Sequence, residues 1–270
     1  MSDMFSLLAR DFHEIIAELR DYRELLWLMT RRDIVIRYRK AVLGFGWAIF
    51  TPVVNMVVFT IVFNRVAKIQ TDVPYPVFAY AGLLPWNLFS SSLKAAIGSL
   101  LSNKGLVAKV YCPRELFPLS GILVAGVDFL VGGVVLALLM VYYSIAPTWT
   151  ILFLPVVLLV QLMFTTGLGF LLSIANLYFR DVKYIFDVGL SLWMFATPVV
   201  YPVRDIGGLT GLLINANPMT PIIDAYRSVL LRGQLPDAVP FTIAACISLA
   251  LCAVGWVVFH RAEYTFAENI

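Results

Sequence analysis

The chain has 270 residues, of which 60% are apolar and only 14% charged, with a formal net charge of +3. Soluble domains sit near ~45–50% apolar and ~25% charged, so this composition excludes a soluble enzyme and points to an integral membrane protein. The length then serves spans of about 20 residues each rather than one or two globular domains.

In chain order, residues 4–29 read as an amphipathic helix. Leu8, Phe12, Ile15, Leu19, Tyr22 and Leu26 recur at alternating steps of four and three, giving one apolar stripe. Glu14, Glu18, Arg20, Asp21, Arg23 and Glu24 occupy the rest. Such a helix lies in the membrane interface plane; docking on a partner and a solvated charged face are the alternatives. Residues 1–30 are therefore assigned as a cytoplasmic interface helix, 31–262 as the transmembrane domain and 263–270 as a cytoplasmic tail. The first 40 residues are charged throughout and hold no apolar run followed by small residues, so no cleavable signal peptide is expected.

Six apolar segments follow, at about 43–63, 77–100, 116–142, 151–175, 184–200 and 239–259. In lipid every backbone polar group must be satisfied internally, which rules out an open sheet. The expected fold is all-α with about six transmembrane helices, the fifth of them short. Pro52, Pro155 and Pro198 fall inside or at the ends of spans, where neighbouring helices tolerate them. Between spans five and six, the pieces at 206–214 and 222–231 are too short to cross and too apolar for an ordinary loop. Gly207, Gly208, Gly211, Pro218 and Pro221 break this stretch into short re-entrant or interfacial helices.

Charge sets the orientation. With the N-terminus inside, fourteen of the twenty Lys and Arg fall on the cytoplasmic side. The five outside are Arg65, Lys68, Arg204, Arg227 and Arg232, and the bias places both termini in the cytoplasm. Two polar residues within spans stand out, Lys94 and Asp128. Lys94 is close enough to the inner end of span two to snorkel. Asp128 is twelve residues into span three, roughly 18 Å deep at 1.5 Å per residue. It is expected to pair with Lys94, or else to face a wet conduit.

Catalytic signatures are missing from the sequence. No Lys follows a Gly or precedes Ser or Thr, so there is no phosphate loop, and neither GxSxG nor HExxH occurs. His13 and His260 lie near opposite ends, and Cys112, Cys246 and Cys252 form no CxxC pair or metal-ligand spacing. The chain is expected to be neither an enzyme nor a metal protein, and any uphill transport draws its energy from another chain or an ion gradient.

Five motifs stand in order: RYRKAVLGFGWAIFTP (37–52), AGLLPWNLFSSS (81–92), NLYFRDVKYI (176–185), TPVVYP (197–202) and NPMTPIIDAYR (217–227). On these the chain resembles the membrane, or permease, subunit of ABC-2-type exporters, in the polysaccharide branch that exports O-antigen, capsule or teichoic acid. The resemblance implies a homodimer in the bacterial inner membrane, paired with two copies of a separate ABC ATPase subunit. ATP and Mg are then bound by that partner, with no cofactor in this chain and no nucleic acid involved. The implied cargo is a polyprenyl-diphosphate-linked polysaccharide, O-antigen first, on its way from the cytoplasm to lipopolysaccharide. The alternatives are an ABC-2 exporter of drugs or small lipids, an ion-coupled secondary transporter and a membrane-embedded transferase. One broken segment without an evident repeat speaks against the secondary transporter, and Asp128 standing nearly alone against the transferase.

The resemblance also implies site residues. Contacts to the ATPase fall in 103–115, carrying Lys104, Lys109, Arg114 and Glu115, and in 178–184, carrying Arg180, Asp181 and Lys183; the alternative is that these cations only set topology. Arg31, Arg32, Arg37 and Arg39 stand just before span one, at the depth of a lipid diphosphate. Arg holds phosphate by paired hydrogen bonds, while the alternative is anchoring to anionic lipid at roughly 1 kcal/mol per cation. Trp47, Trp86 and Trp193 are candidates to line a glycan conduit, against a role in the interfacial belt that suits Tyr142 and Trp149 better.

Overall fold

The computed structural model describes residues 20–39, 44, 46–66, 71–109, 112–202, 214, 216–263 and 266, and these are mostly helical with no strand among them. Most of the proposed interface helix and the 206–213 piece thus lie outside the described residues. Helix α1 spans Arg23–Tyr38, α2 Gly46–Phe59 (continued by a wider π turn over Thr60–Val66), α3 Tyr75–Ser102 and α4 Lys104–Lys109. Then follow α5 at Leu116–Tyr142 and α6 at Leu154–Tyr178, the latter entered through a 3-10 turn at Trp149–Phe153. Last come α7 at Val182–Ala196, α8 at Met219–Arg227 with a π turn at Ser228–Arg232, and α9 at Ala238–Ala262.

Among the described residues, four stretches are long and apolar enough to cross a membrane: Gly46–Phe63, Leu116–Tyr142, Trp149–Tyr178 and Ala238–Ala262. The chain is a multi-pass membrane protein. Two of the expected spans differ from these four. Helix α3 has 28 residues, but Ser90, Ser91, Ser92, Asn87 and Lys94 interrupt its apolar character. It is the centre of the bundle, packing on α5 and α6, with Val77, Ala79, Tyr80, Phe89 and Leu93 fully enclosed. A helix that meets protein on nearly every side has no need of a lipid-facing surface. Helix α7 has 15 residues and stops at Ala196 instead of near 200. Thr197 is extended (φ −109°, ψ 135°), as the residue before a proline prefers, and Pro198 offers no N–H to continue the helix.

Small and polar residues join the helices. A Cβ on Gly167 of α6 would collide with the Leu251 and Cys252 backbone of α9, and one on Gly255 would collide with Gly167. The missing side chains are what let these two backbones meet. Gln161 Nε2 of α6 donates to the Pro85 carbonyl at 2.7 Å, and Asn176 Nδ2 to the Ile97 carbonyl at 2.9 Å, so two buried amides tie α6 to α3.

Helix α1 does not stop at residue 30 but runs to Tyr38, carrying the arginines of 31–37 with it. Tyr22, Leu25, Leu26 and Met29 pack with Leu100, Leu116, Phe117, Phe170 and Phe259, a second apolar cluster at one end of the bundle. The described part of the apolar stripe therefore docks on this chain itself, while Trp27, Leu28 and Ile36 stay exposed.

Candidate functional site

Beside α1, two cavities adjoin. The first, about 320 Å³, lies among α1, α2, α3 and α5 and is lined by Arg37, Tyr38, Trp47, Asn87, Ser91 and Asp128 among others. The second, about 390 Å³, shares Arg37 and Ser91 and adds Lys94, Lys183 and Asp187. Arg37 Nη1 lies 2.5 Å from Asp128 Oδ2, and the Tyr38 hydroxyl donates to Asp128 Oδ1. Burial and that bond push the Tyr38 phenol up to about 12, so it stays a donor. Lys94 Nζ pairs with Asp187 at 3.5 Å.

This corrects the expected Asp128–Lys94 pair. Counting depth along span three left out α1, whose C-terminal turn packs along α5 and brings a guanidinium to Asp128. The cavity combines a cation in an exchangeable pair, an indole half exposed at Trp47, and amide and hydroxyl groups at Asn87 and Ser91. Chemically it can hold an anionic group beside a ring that presents C–H faces.

The other predicted residues separate. Arg31 and Arg39 are exposed. Arg32 bonds to Asp33 at 2.9 Å and to Asn103 at 2.8 Å, tying α1 to the end of α3. Trp86 is buried against Phe89, and Trp193 stands edge-on to Phe89 at 5.2 Å while its Nε1 donates to Asn217 Oδ1 at 3.1 Å. Within one chain these two indoles are packing residues, unlike Trp47.

In the first predicted ATPase contact, Lys104 is exposed, and the Lys109 side chain lies outside the described residues. Arg114 and Glu115 turn inward instead. Arg114 donates from its backbone N–H and Nη1 to Glu263 Oε1, both at 3.2 Å, and Glu115 Oε1 lies 2.9 Å from His260 Nδ1. Burial, and secondly the Glu115 carboxylate, push the Glu263 carboxyl up to about 7. Burial likewise raises the nearby Cys112 thiol. In the second contact, Arg180, Asp181 and Lys183 are all exposed.

Sequence reasoning missed Arg227, which it counted among outer-loop cations. The side chain is buried, donating from Nη1 to the Pro198 carbonyl at 2.7 Å and from Nη2 to the Val199 carbonyl at 2.5 Å. Its guanidinium carbon sits 3.8 Å from the Phe78 ring centroid, a cation–π arrangement. A Cβ on Gly82 would collide with both the Val199 carbonyl and Arg227. The available signal was the Arg closing the apolar 222–231 piece, a charge that must be paired if that piece is buried.

The ABC-2 type transporter family profile matches residues 24–231. The chain therefore belongs to the ABC-2 type transporter family. Among curated relatives, it is 33% identical over 258 residues to an O-antigen export system permease protein of Myxococcus xanthus, covering 95% of this chain and 99% of the relative. It is 29% identical to one of Klebsiella pneumoniae, covering 91% and 94%. A polysialic acid transport protein of Escherichia coli matches at 24% identity, covering 86% and 91%.

Proposed function

We propose that this chain is the permease subunit of an ATP-driven exporter that moves a polyprenyl-diphosphate-linked polysaccharide out of the cytoplasm. It crosses the inner membrane six times with both termini inside, and it works as a homodimer with two copies of a separate ATPase subunit. ATP and Mg reside on that partner. O-antigen is favoured over capsule because the relatives named for O-antigen export match at 29–33% identity and those named for polysialic acid transport at 23–24%.

The observation that carries the reading within the molecule is the cavity at Arg37, Asp128 and Trp47. A diphosphate exchanges with Asp128 for the guanidinium, using paired hydrogen bonds, while the first sugar packs on Trp47. The exposed Arg180, Asp181 and Lys183 face the ATPase, and Arg31 and Arg39 attract the anionic headgroup. A strain lacking this gene tests the reading: it loses the surface glycan and accumulates the lipid-linked glycan inside. Unchanged surface glycan overturns it.

A further inference from the structure

Away from the transport cavity, one cluster of side chains has the composition of a metal site. We propose that Glu115, His260 and Glu263 bind one divalent transition-metal ion of the zinc class, which fastens the end of α9 to the start of α5. The proposal stands independently of the transport reading.

Three features of the geometry support it. His260 and Glu263 are three residues apart across the last turn of α9, so they share one helix face, and Glu115 faces them from the N-cap of α5. His260 Nδ1 is 2.9 Å from Glu115 Oε1 and 3.9 Å from Glu263 Oε2. One ligand atom from each residue lies within 4.8 Å of the others. Two ligands on one tetrahedral zinc ion, with bonds of about 2.0–2.2 Å, stand about 3.3–3.6 Å apart, so side-chain shifts of about 1 Å close the site.

The oxygens are divided as a metal site requires. Glu263 Oε1 is taken by the Arg114 backbone N–H and guanidinium, which orients the carboxylate and leaves Oε2 toward His260, the outer bonding typical of a ligating carboxylate. Glu115 is only 2% exposed, and among the described residues its Oε2 has no hydrogen-bond partner. A buried carboxylate oxygen without a donor is what a bound cation would satisfy. The Arg114 guanidinium is taken by Glu263, which leaves the Glu115 carboxylate to His260 and to the ion. Cys112 is buried three residues before Glu115, but its sulfur does not join the three ligand atoms that meet within 4.8 Å. One imidazole and two carboxylates suit zinc or manganese over copper(I) or calcium.

The test uses the full chain, purified in detergent with chelator and then titrated with cobalt(II), a spectroscopic stand-in for zinc. The expected result is one cobalt per chain with visible d–d absorption, displaced by zinc. Affinity falls at least 10-fold in Glu263→Gln, which keeps a hydrogen-bond acceptor for Arg114, and in Glu115→Gln. Asp187→Asn, a carboxylate substitution elsewhere, binds as the parent does. Zinc raises the melting temperature of the parent and of Asp187→Asn, but not of Glu115→Gln. No stoichiometric uptake by the parent overturns the proposal, and so does equal affinity in the glutamine variants that fold.

Discussion

Arg227, beside Phe78 and Gly82 of α3, and Arg37, in the cavities farther along that helix at Asn87 and Ser91, solve the problem of a charge in a membrane protein in opposite ways. Arg227 is enclosed, its two terminal nitrogens on the carbonyls of Pro198 and Val199 and its plane near Phe78. Arg37 keeps 39% of its side chain exposed, and its ion-pair partner is Asp128, on the wall of an open cavity. Carbonyls fixed by a helix end cannot leave, so the Arg227 charge is part of the scaffold. A carboxylate beside a cavity can be replaced by another anion, so the Arg37 charge is available for work. The difference lies less in burial itself than in whether the counter-group is exchangeable.

The largest effect is expected at the enclosed charge. Arg227→Met leaves two buried carbonyls without donors, at about 1–3 kcal/mol each. We expect the protein to be nearly absent from membranes by immunoblot. Arg227→Lys should rescue it poorly, because an ammonium lacks the planar fork that serves two carbonyls at once. Next in size, Gly82→Ala forces a methyl against the Val199 carbonyl and Arg227 and should cost about 1–3 kcal/mol as overpacking, read as a lower melting temperature in detergent. Normal abundance of both Arg227→Met and Gly82→Ala would mean that Arg227 is not part of the scaffold.

The sequence exposed what faces lipid and concealed what faces protein. Span three, expected at 116–142, coincides with α5 at Leu116–Tyr142, because a lipid-facing helix is apolar along nearly its whole length, Asp128 apart. Helix α3 was legible in extent but not in rank: nothing in its serines announces that it is the centre. The burial of Arg227 depends on α8 folding back toward Gly82, a contact across about 145 residues of sequence that no local pattern encodes. Arg37 and Asp128 were each singled out, one as a headgroup contact and one as an intramembrane acid. Their pairing does not show in a depth count along α5 alone, because it comes from the C-terminal turn of α1 packing beside that helix. Arg114 and Glu115 looked like docking cations and acids from their loop; only the end of α9 reveals that they are bonded inward.

At the exchangeable charge, stability and activity should separate. The Arg37–Asp128 pair is partly exposed, and such pairs contribute about 0–1 kcal/mol. Arg37→Gln should therefore leave membrane abundance close to the parent. It should lower glycan export about 10–100-fold, the equivalent of one charge-assisted hydrogen bond at about 1.5–3 kcal/mol. Asp128→Asn keeps a hydrogen-bonding side chain and releases the guanidinium, so export should persist. A loss of abundance in Arg37→Gln as large as that in Arg227→Met would erase the contrast between the two sites.

The smallest effect is expected at Lys94 and Asp187, and it sharpens the comparison by its smallness. Their side chains are 54% and 42% exposed and the ions are 3.5 Å apart, so the pair belongs with surface ion pairs worth about 0–1 kcal/mol. Lys94→Gln and Asp187→Asn should each shift the melting temperature little. The informative measurement is a double-mutant cycle of Lys94→Gln with Asp128→Asn. The two residues are bonded to different partners, Asp187 on α7 and Arg37 on α1. Their effects on stability should then add to within about 0.5 kcal/mol, as for sites without a shared partner. A larger interaction energy would mean that Asp128 reaches Lys94 after all. Arg37 would then be only its second partner, held less by exchange than by a three-membered ionic network spanning α1, α3 and α5.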